Sequence, residues 1–405
     1  MIESRDGREV VVTGVGVVSP AGIGAEAFWA GLSRPVEDAT TREVTGFDPA
    51  DWGLTKQQVR RTDRFVQFAL AASAQALADA GYADDGLDDP ERWGIVIGSG
   101  IGGALSWETQ AYVLRDSGPR KVSPFTVPMV MPNGAAGAVS IRYGLRGPCE
   151  TISTACATGT HSVAAAARLV ASGRVDRAIA GGSESCMTGT NVAAFGNMRA
   201  LSPTGRSRPF DPDRDGFCAA EAAGCLVLET AESAASRGAR VYAKVAGAAS
   251  TADAFHITAP APGGAGAARC MRLAIEDAGV RVEDVTHVNA HGTSTELNDA
   301  AEAEAINAVF GAHRPVVTSI KGVTGHSLGA AGAVEAVALA LTYKHRTIPP
   351  TIGTSTVDEK LDLDVALTPR EWQPGVALSN SFAFGGHNGT LVFTPAGTAT
   401  PATAV

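Results

Sequence analysis

Three short stretches carry residues able to do covalent chemistry. Thr151-Ile152-Ser153-Thr154-Ala155-Cys156-Ala157-Thr158-Gly159 sets a cysteine where an apolar strand turns into a long alanine-rich helix. A thiol at a helix start feels the positive end of the macrodipole and the free backbone N–H groups, which lower its pKa from about 8.5 toward the range where thiolate is plentiful. The same residue also fits a small buried hydrophobe, the ordinary fate of a free cysteine. Asn289-Ala290-His291-Gly292-Thr293-Ser294-Thr295 places a histidine just past a second apolar run, and Lys321-Gly322-Val323-Thr324-Gly325-His326 repeats the arrangement after the next one. A lone loop histidine is commonly a surface residue. Here all three residues lie at the same end of buried strands, the end at which α/β folds build their sites. Together they describe a nucleophile served by two imidazoles.

The elements that hold these residues follow from the hydrophobic pattern. Short apolar runs occur at Val10–Gly14, Gly94–Gly98, Ala178–Gly182, Cys225–Leu228, Val245–Gly247, His287–His291, Val316–Ser319 and Ala377–Asn380. Without clean alternation, such runs are expected of strands buried on both faces. Alanine-rich helical patterns lie between them at Phe65–Ala80, Gly159–Ser172, Gly266–Ala278, Asn298–Val309 and Ala330–Tyr343. Alternating strands and helices imply a layered α/β architecture. The series runs twice and breaks near Glu229–Arg240, which predicts two halves, 1–235 with the cysteine and 236–405 with the two histidines. The tail from Thr394 to Val405 predicts a last strand running into a frayed end.

Composition excludes several function classes. With 45% hydrophobic and 19% charged residues over 405 positions, the chain is globular and long enough for two or three domains or one two-lobed enzyme. A net charge of −9 leaves no basic excess to displace counterions from nucleic acid. Met1–Asp6 lacks the apolar core of a secretory leader and Glu335 interrupts the apolar stretch Gly329–Leu341, so a soluble cytoplasmic protein without a membrane partner is expected. The six cysteines form no Cys-x-x-Cys pair, and His161, His256, His287, His313, His345 and His387 show no ligand spacing, so neither a disulfide framework nor a metal is expected. Gly14-Val15-Gly16-Val17-Val18-Ser19 has serine where a dinucleotide loop needs its third glycine, which excludes a nicotinamide site.

Taken in order along nearly the whole chain, the motifs resemble those of the elongating β-ketoacyl-[acyl carrier protein] synthases, the Cys-His-His ketosynthases of the thiolase superfamily. The resemblance rests on Val12-Thr13-Gly14-Val15-Gly16, Gly98-Ser99-Gly100-Ile101-Gly102-Gly103, Tyr143-Gly144-Leu145-Arg146-Gly147-Pro148 and the Thr154-Ala155-Cys156 elbow. Arg208-Pro209-Phe210-Asp211, Arg214-Asp215-Gly216-Phe217, the two histidine loops and Phe384-Gly385-Gly386-His387-Asn388 complete it. It implies a thiolase-like fold of two duplicated βα halves in α-β-α-β-α layers. It also implies a decarboxylative Claisen condensation of an acyl thioester with malonyl-carrier protein, in fatty acid or type II polyketide synthesis. Cys156 would take the acyl chain, while His291 and His326 would hold the malonyl carbonyl and the enolate left by CO2. The oxyanion would rest on the N–H groups of Cys156 and Phe384. Lys321 would order the site with Glu335 as its ionic partner. Thr293 and Thr295 would bind the phosphopantetheine arm, and Phe195 and Trp107 would line the acyl pocket. No tightly bound cofactor is implied, since substrates arrive on the phosphopantetheine of acyl carrier protein.

Partners follow from the same resemblance. Lys56, Arg60, Arg61 and Arg64, the densest basic run in an acidic chain, with Arg199, are candidates for docking the carrier protein, although such a run also fits a solvated helix face. A homodimer is implied, with a heterodimer containing a chain-length-factor-like subunit as the alternative. Trp107 could instead pack in the dimer interface against Gly134, Ala135 and Ala136 of the partner subunit. An acyl-Cys transacylase or hydrolase is the rival enzyme class, weakened by the second histidine loop, because hydrolysis needs one base and an enolate benefits from two donors. Alanine at Ala383, where relatives carry glycine in the Ser381-Phe382-Ala383-Phe384-Gly385-Gly386 loop, would strain the loop if that position required φ > 0. Cys218–Gly224 replaces two further customary glycines, and the loop between Ser202 and Ser207 is shorter than usual. These departures point to a specialised branch.

Overall fold

Every one of the eight apolar runs forms a strand in the computed structural model, which describes residues 7–82 and 87–397. Residues 1–6, which lacked a leader pattern, and the tail from 398 onward lie outside the described residues. The first half supplies β1 (Val10–Ser19), β2 (Trp93–Gly98), β3 (Cys149–Glu150), β4 (Arg177–Glu184) and β5 (Ala222–Thr230). The second supplies β6 (Ala243–Ala252), β7 (Val285–Asn289), β8 (Val316–Thr318), β9 (Val376–Ala383) and β10 (His387–Thr394). They join in one sheet in the order β8-β7-β9-β10-β6-β1-β5-β4-β2-β3, with the short strand Gly22–Ile23 folded back on β1. The last strand ends at Thr394, where the sequence pattern began it.

The duplication is plain in the topology. In each half the strands lie in the order third, second, fourth, fifth, first. The third–second and second–fourth contacts are parallel, and the fourth–fifth and fifth–first contacts are antiparallel. The halves meet through a narrow seam, Val11 opposite Lys244 and Val12 opposite Ala243.

Helices complete the layers: α1 (Arg64–Asp79), α2 (Ala104–Ser117), α3 (Gly134–Tyr143), α4 (Thr158–Ala171), α5 (Ala265–Asp277), α6 (Glu296–Phe310) and α7 (Ala331–His345). Along β5, Leu226 and Leu228 face a central core with α4 and α7, while Cys225 and Val227 face an outer core with α1 and α3. Along β10, Leu391 and Phe393 face the same central core and Val392 faces the outer core of α5 and α6. Strands sandwiched in this way have no solvent face, which is why their sequences are continuously apolar. Helix α7 is buried from Ala331 through Tyr343 and is correspondingly apolar on almost every side, Glu335 being its one charge within that span. Where it meets α4, a Cβ at Gly159 would lie 2.4 Å from the Ala333 nitrogen. Only glycine permits that approach, and it brings the starts of the two central helices, with Cys156 and the loop after His326, to one place. Among the described residues no helix is long and apolar enough to cross a membrane.

Candidate active site

Cys156 sits on the 3₁₀ turn Ala155–Ala157 that leads into α4 and is 6% exposed. Ala155 before it has φ +49°, a left-handed conformation that is costly for a residue with a Cβ and that turns the thiol out of the helix line. His291 follows β7; its backbone N–H and that of Gly292 donate to the two oxygens of Glu302, at 2.8 and 2.7 Å. His326 follows the one-turn helix Lys321–Thr324, and its backbone is held by Cys218 and Ala220, with His326 N donating to Cys218 O at 2.7 Å and accepting at its carbonyl from Ala220 N at 3.0 Å. The three residues converge. His326 Nε2 is 3.0 Å from Cys156 Sγ, the two imidazoles stand edge to face with centroids 5.3 Å apart, and Sγ and a ring nitrogen of each histidine all lie within 4.8 Å of one another.

The two histidines are held differently. Lys321 Nζ ion-pairs with Glu335, donates to His291 O at 2.6 Å and reaches His291 Nδ1 at 3.3 Å. An ammonium has only protons to offer, so Nδ1 must accept, and His291 carries its proton on Nε2 as a hydrogen-bond donor. His326 Nδ1 has no partner among the described residues, so nothing fixes its tautomer and Nε2 can accept a proton as readily as present one. Burial, reinforced by the charge of Lys321, holds both imidazoles well below their usual pKa, so both are neutral at pH 7.

The thiol differs from the sequence expectation. Burial pushes Cys156 up to about 12, against the pull of Lys321 and of the Phe384 and Cys156 N–H groups that face the sulfur. Desolvation of the thiolate outweighs the helix start, so the resting residue is a thiol, and the nitrogen 3.0 Å from it is His326 Nε2. Two buried carboxylates complete the frame. Glu184 accepts from Ser99 Oγ at 2.8 Å, Gly100 N at 2.7 Å and Gly329 N at 3.1 Å, tying loops of both halves together, and Glu302 holds the His291 loop. Burial pushes each of them, and Glu335, up to about 7. In the sequence Glu302 looks like any helix-surface charge and Glu184 like any strand end; only burial distinguishes them.

A cavity of about 540 Å³ opens onto Cys156, His291 and His326 and is lined by Thr293, Thr295, Phe384, Ala383 and Arg199 among others. Thr293 and Thr295 join their hydroxyls at 2.9 Å on its wall. Ala383 pairs with His387 at the end of β9 and is not among the residues with positive φ, so its Cβ introduces no backbone strain here. Phe195 is placed beside the site rather than in the cavity, stacked edge-on against Phe217, which in turn meets His326 at 5.1 Å. Glu335 lies behind Lys321, away from the cavity, and cannot contact substrate. Trp107 does not reach the pocket: it is 62% exposed on α2, outside the cavity, because the helix turns that face toward solvent. Of the residues expected to receive it from a partner subunit, Ala135 and Ala136 are buried within their own chain and Gly134 is half-buried. Arg64 is likewise removed from the basic surface, since Glu221 binds it at 2.8 Å and it stacks over Phe68. Lys56, Arg60 and Arg61 remain exposed.

Comparison with known proteins agrees with this geometry. Residues 7–234 match the beta-ketoacyl synthase N-terminal domain and residues 242–355 its C-terminal domain. The chain is 44% identical to 3-oxoacyl-[acyl-carrier-protein] synthase 2 of Rhizobium meliloti (strain 1021), over 95% of this chain and 98% of that one. It is 43% identical to the enzyme of the same name from Staphylococcus aureus (strain COL), with the same coverage. Among solved structures it resembles the ishigamide ketosynthase/chain length factor, with TM-score 0.88 and 35% identity over 96% of this chain and 100% of that chain. It also resembles a type II polyketide ketosynthase solved with its acyl-carrier protein, with TM-score 0.86 and 31% identity over 96% of this chain and 99% of that chain. The fold is thiolase-like, and the protein belongs to the β-ketoacyl synthase family.

Proposed function

We propose that this protein is an elongating β-ketoacyl-[acyl-carrier-protein] synthase, an acyltransferase that condenses an acyl thioester with malonyl-carrier protein. The observation that carries the reading is a thiol 3.0 Å from one neutral imidazole with a second imidazole fixed as a donor beside it. In the first half-reaction Cys156 Sγ attacks the acyl carbonyl, its proton passes to His326 Nε2, and the oxyanion takes the N–H groups of Cys156 and Phe384. The pantetheine thiolate leaves and recovers that proton. In the second, the malonyl carbonyl accepts from His291 Nε2–H and from His326, CO2 departs, and the enolate carbon attacks the acyl-Cys carbonyl. The thiolate of Cys156 is released as the carbon–carbon bond forms and takes up a proton from solvent, restoring the thiol. Thr293 and Thr295, which line the cavity, are read as binding the phosphopantetheine arm. Substrate-dependent CO2 release together with a product two carbons longer tests the assignment; acyl-Cys turnover to free acid without CO2 would favour a hydrolase.

The carrier protein is read as docking on Lys56, Arg60 and Arg61. The Arg61 guanidinium stacks 4.5 Å over Phe125, next to the exposed Arg120 and Lys121, so the patch extends further than the sequence run. Rim charges act mainly on encounter. Reversing Arg60 and Arg61 to glutamate is expected to raise the apparent KM for carrier-bound substrate roughly tenfold, while leaving small thioester mimics within about twofold. An equal change for both substrates would exclude docking there.

The halves 1–235 and 236–405 are read as the two duplicated units of one catalytic body. A second subunit is read as covering Trp107, Val127 and Ile141, exposed by 62%, 66% and 84%, beside the free edge of β3. The likeness to a ketosynthase/chain length factor structure supports a non-identical partner as the second possibility. Ile141→Glu is expected to convert dimers to monomers in sedimentation; unchanged sedimentation would place the interface elsewhere.

A further inference from the structure

Arg42 is a buried cation without a carboxylate among the described residues. It ends the two-residue strand Thr41–Arg42, paired in parallel with Ala219–Ala220, and is 8% exposed. Its Nη1 donates to the carbonyls of Gly322 at 2.6 Å and Val323 at 2.7 Å, and Nη2 lies 4.0 Å from Cys218 Sγ. Taking a guanidinium out of water costs several kcal/mol, and two carbonyls offset this only in part. Those carbonyls belong to the one-turn helix Lys321–Thr324, whose first residue sets the tautomer of His291 and which runs through Gly325 into His326.

The arginine therefore grips the segment that carries two of the site's cations and bases. Carbonyls at a helix end bear partial negative charge, so a guanidinium there fixes both position and direction. Its stem also bounds Gly325: a Cβ at that glycine, φ +67°, would come 3.3 Å from Arg42 Cδ and 2.8 Å from Ala220 Cβ. A second path runs through the backbone. Ala219 N donates to Thr40 O at 2.9 Å on one side of the strand pair, and Ala220 N to His326 O at 3.0 Å on the other. Arg42 thus reaches the His326 loop through its side chain and through the strand it backs. We propose that Arg42, a residue of the first half, is the positioning residue that sets the distance of His326, in the second half's catalytic loop, from Cys156. It touches neither the cavity nor Cys156, so it acts only through the loop.

The assignment rests on the ketosynthase reading for one of its two readouts only. Alkylation of Cys156 by iodoacetamide needs no substrate, and N-acetylcysteine added to the same reaction serves as the reference thiol. In Arg42→Met, which keeps the stem and loses the donors, the ratio of Cys156 labelling to N-acetylcysteine labelling at pH 7 is expected to fall about tenfold, with malonyl decarboxylation falling alongside it. Arg42→Lys, whose ammonium can reach the same carbonyls, is expected to recover most of both. A lower melting temperature with an unchanged labelling ratio would mean a purely structural arginine and would overturn the proposal. Should Arg42→Met not fold, Arg42→Gln decides: its neutral amide can serve one carbonyl, and an unchanged ratio there overturns it equally. Wild-type protein that labels at Cys156 yet neither releases CO2 nor elongates would refute the ketosynthase reading, while the Arg42 ratio would still test the positioning role.

Discussion

Cys156→Ala will abolish chain elongation and leave the protein folded, with malonyl decarboxylation surviving. The thiol is the one nucleophile at the base of the cavity; Cys186, Cys218, Cys225 and Cys270 are buried and absent from its lining, and Cys149 is on the surface. No other group can carry the acyl chain, so elongation should drop by at least about 10³-fold. Truncating one small side chain costs about 1 kcal/mol, a few degrees in melting temperature for a chain of this size. The donor set for the enolate, His291 Nε2–H and His326, does not include Sγ. CO2 release from malonyl-carrier protein should therefore stay within about tenfold of wild type, its enolate being protonated by solvent to acetyl-carrier protein. Intact mass spectrometry would show no acyl adduct on the variant, and radiolabelled CO2 would report the surviving step. Elongation near the wild-type rate would end the covalent mechanism; simultaneous loss of CO2 release would mean that the sulfur takes part in decarboxylation.

What could be read from the sequence was the part fixed by short-range pattern. Continuous apolar runs give strands buried on both faces, and the three reactive residues fall at strand ends because loops there are free to carry them. Helices α2 and α3 escaped notice because their large apolar residues, Trp107, Leu114 and Ile141 among them, lie on exposed faces, and the buried stripe of α3 is only Ala135, Ala136 and Val139. Where the sequence expectation failed, the deciding quantity was burial or direction, which no local pattern encodes. The helix start promised a thiolate at Cys156, but the surrounding apolar wall formed by Cys186, Leu328, Met187 and Phe195 makes the charged form too costly. Trp107, expected in the acyl pocket, points to solvent, and Arg64 sits in the basic run yet is claimed by Glu221, 157 residues away. The absence of metal-like spacing says nothing about a cluster assembled from three loops. What characterises this cluster is instead the direction of its protons, and the Lys321 contact, which sets that direction at His291, joins two strand-end loops.

The two histidines are expected to fail differently when removed. His291 is a fixed donor, its Nδ1 occupied by Lys321, so His291→Ala should lower malonyl decarboxylation by about 10²- to 10³-fold and leave acylation of Cys156 within a few-fold. His326 faces both steps. The family resemblance implied a role for it at the malonyl carbonyl and the enolate. In the proposed mechanism, its 3.0 Å contact with a thiol pushed up to about 12 has it accept the thiol proton as well. His326→Ala should therefore lower acylation by about 10²-fold or more, in addition to decarboxylation. The pH dependence carries the same signature. A base works while deprotonated, that is, above its pKa, and burial holds His326 well below 6.5. The wild-type acylation rate should then show no loss as pH falls through 6.5, where an exposed histidine would already be losing its free base. Single-turnover acylation followed by mass spectrometry, alongside CO2 release, separates the steps. If His326→Ala loses only decarboxylation, the thiol is activated by something other than the imidazole beside it; if acylation falls off with a midpoint near 6.5, His326 is less buried than the fold requires.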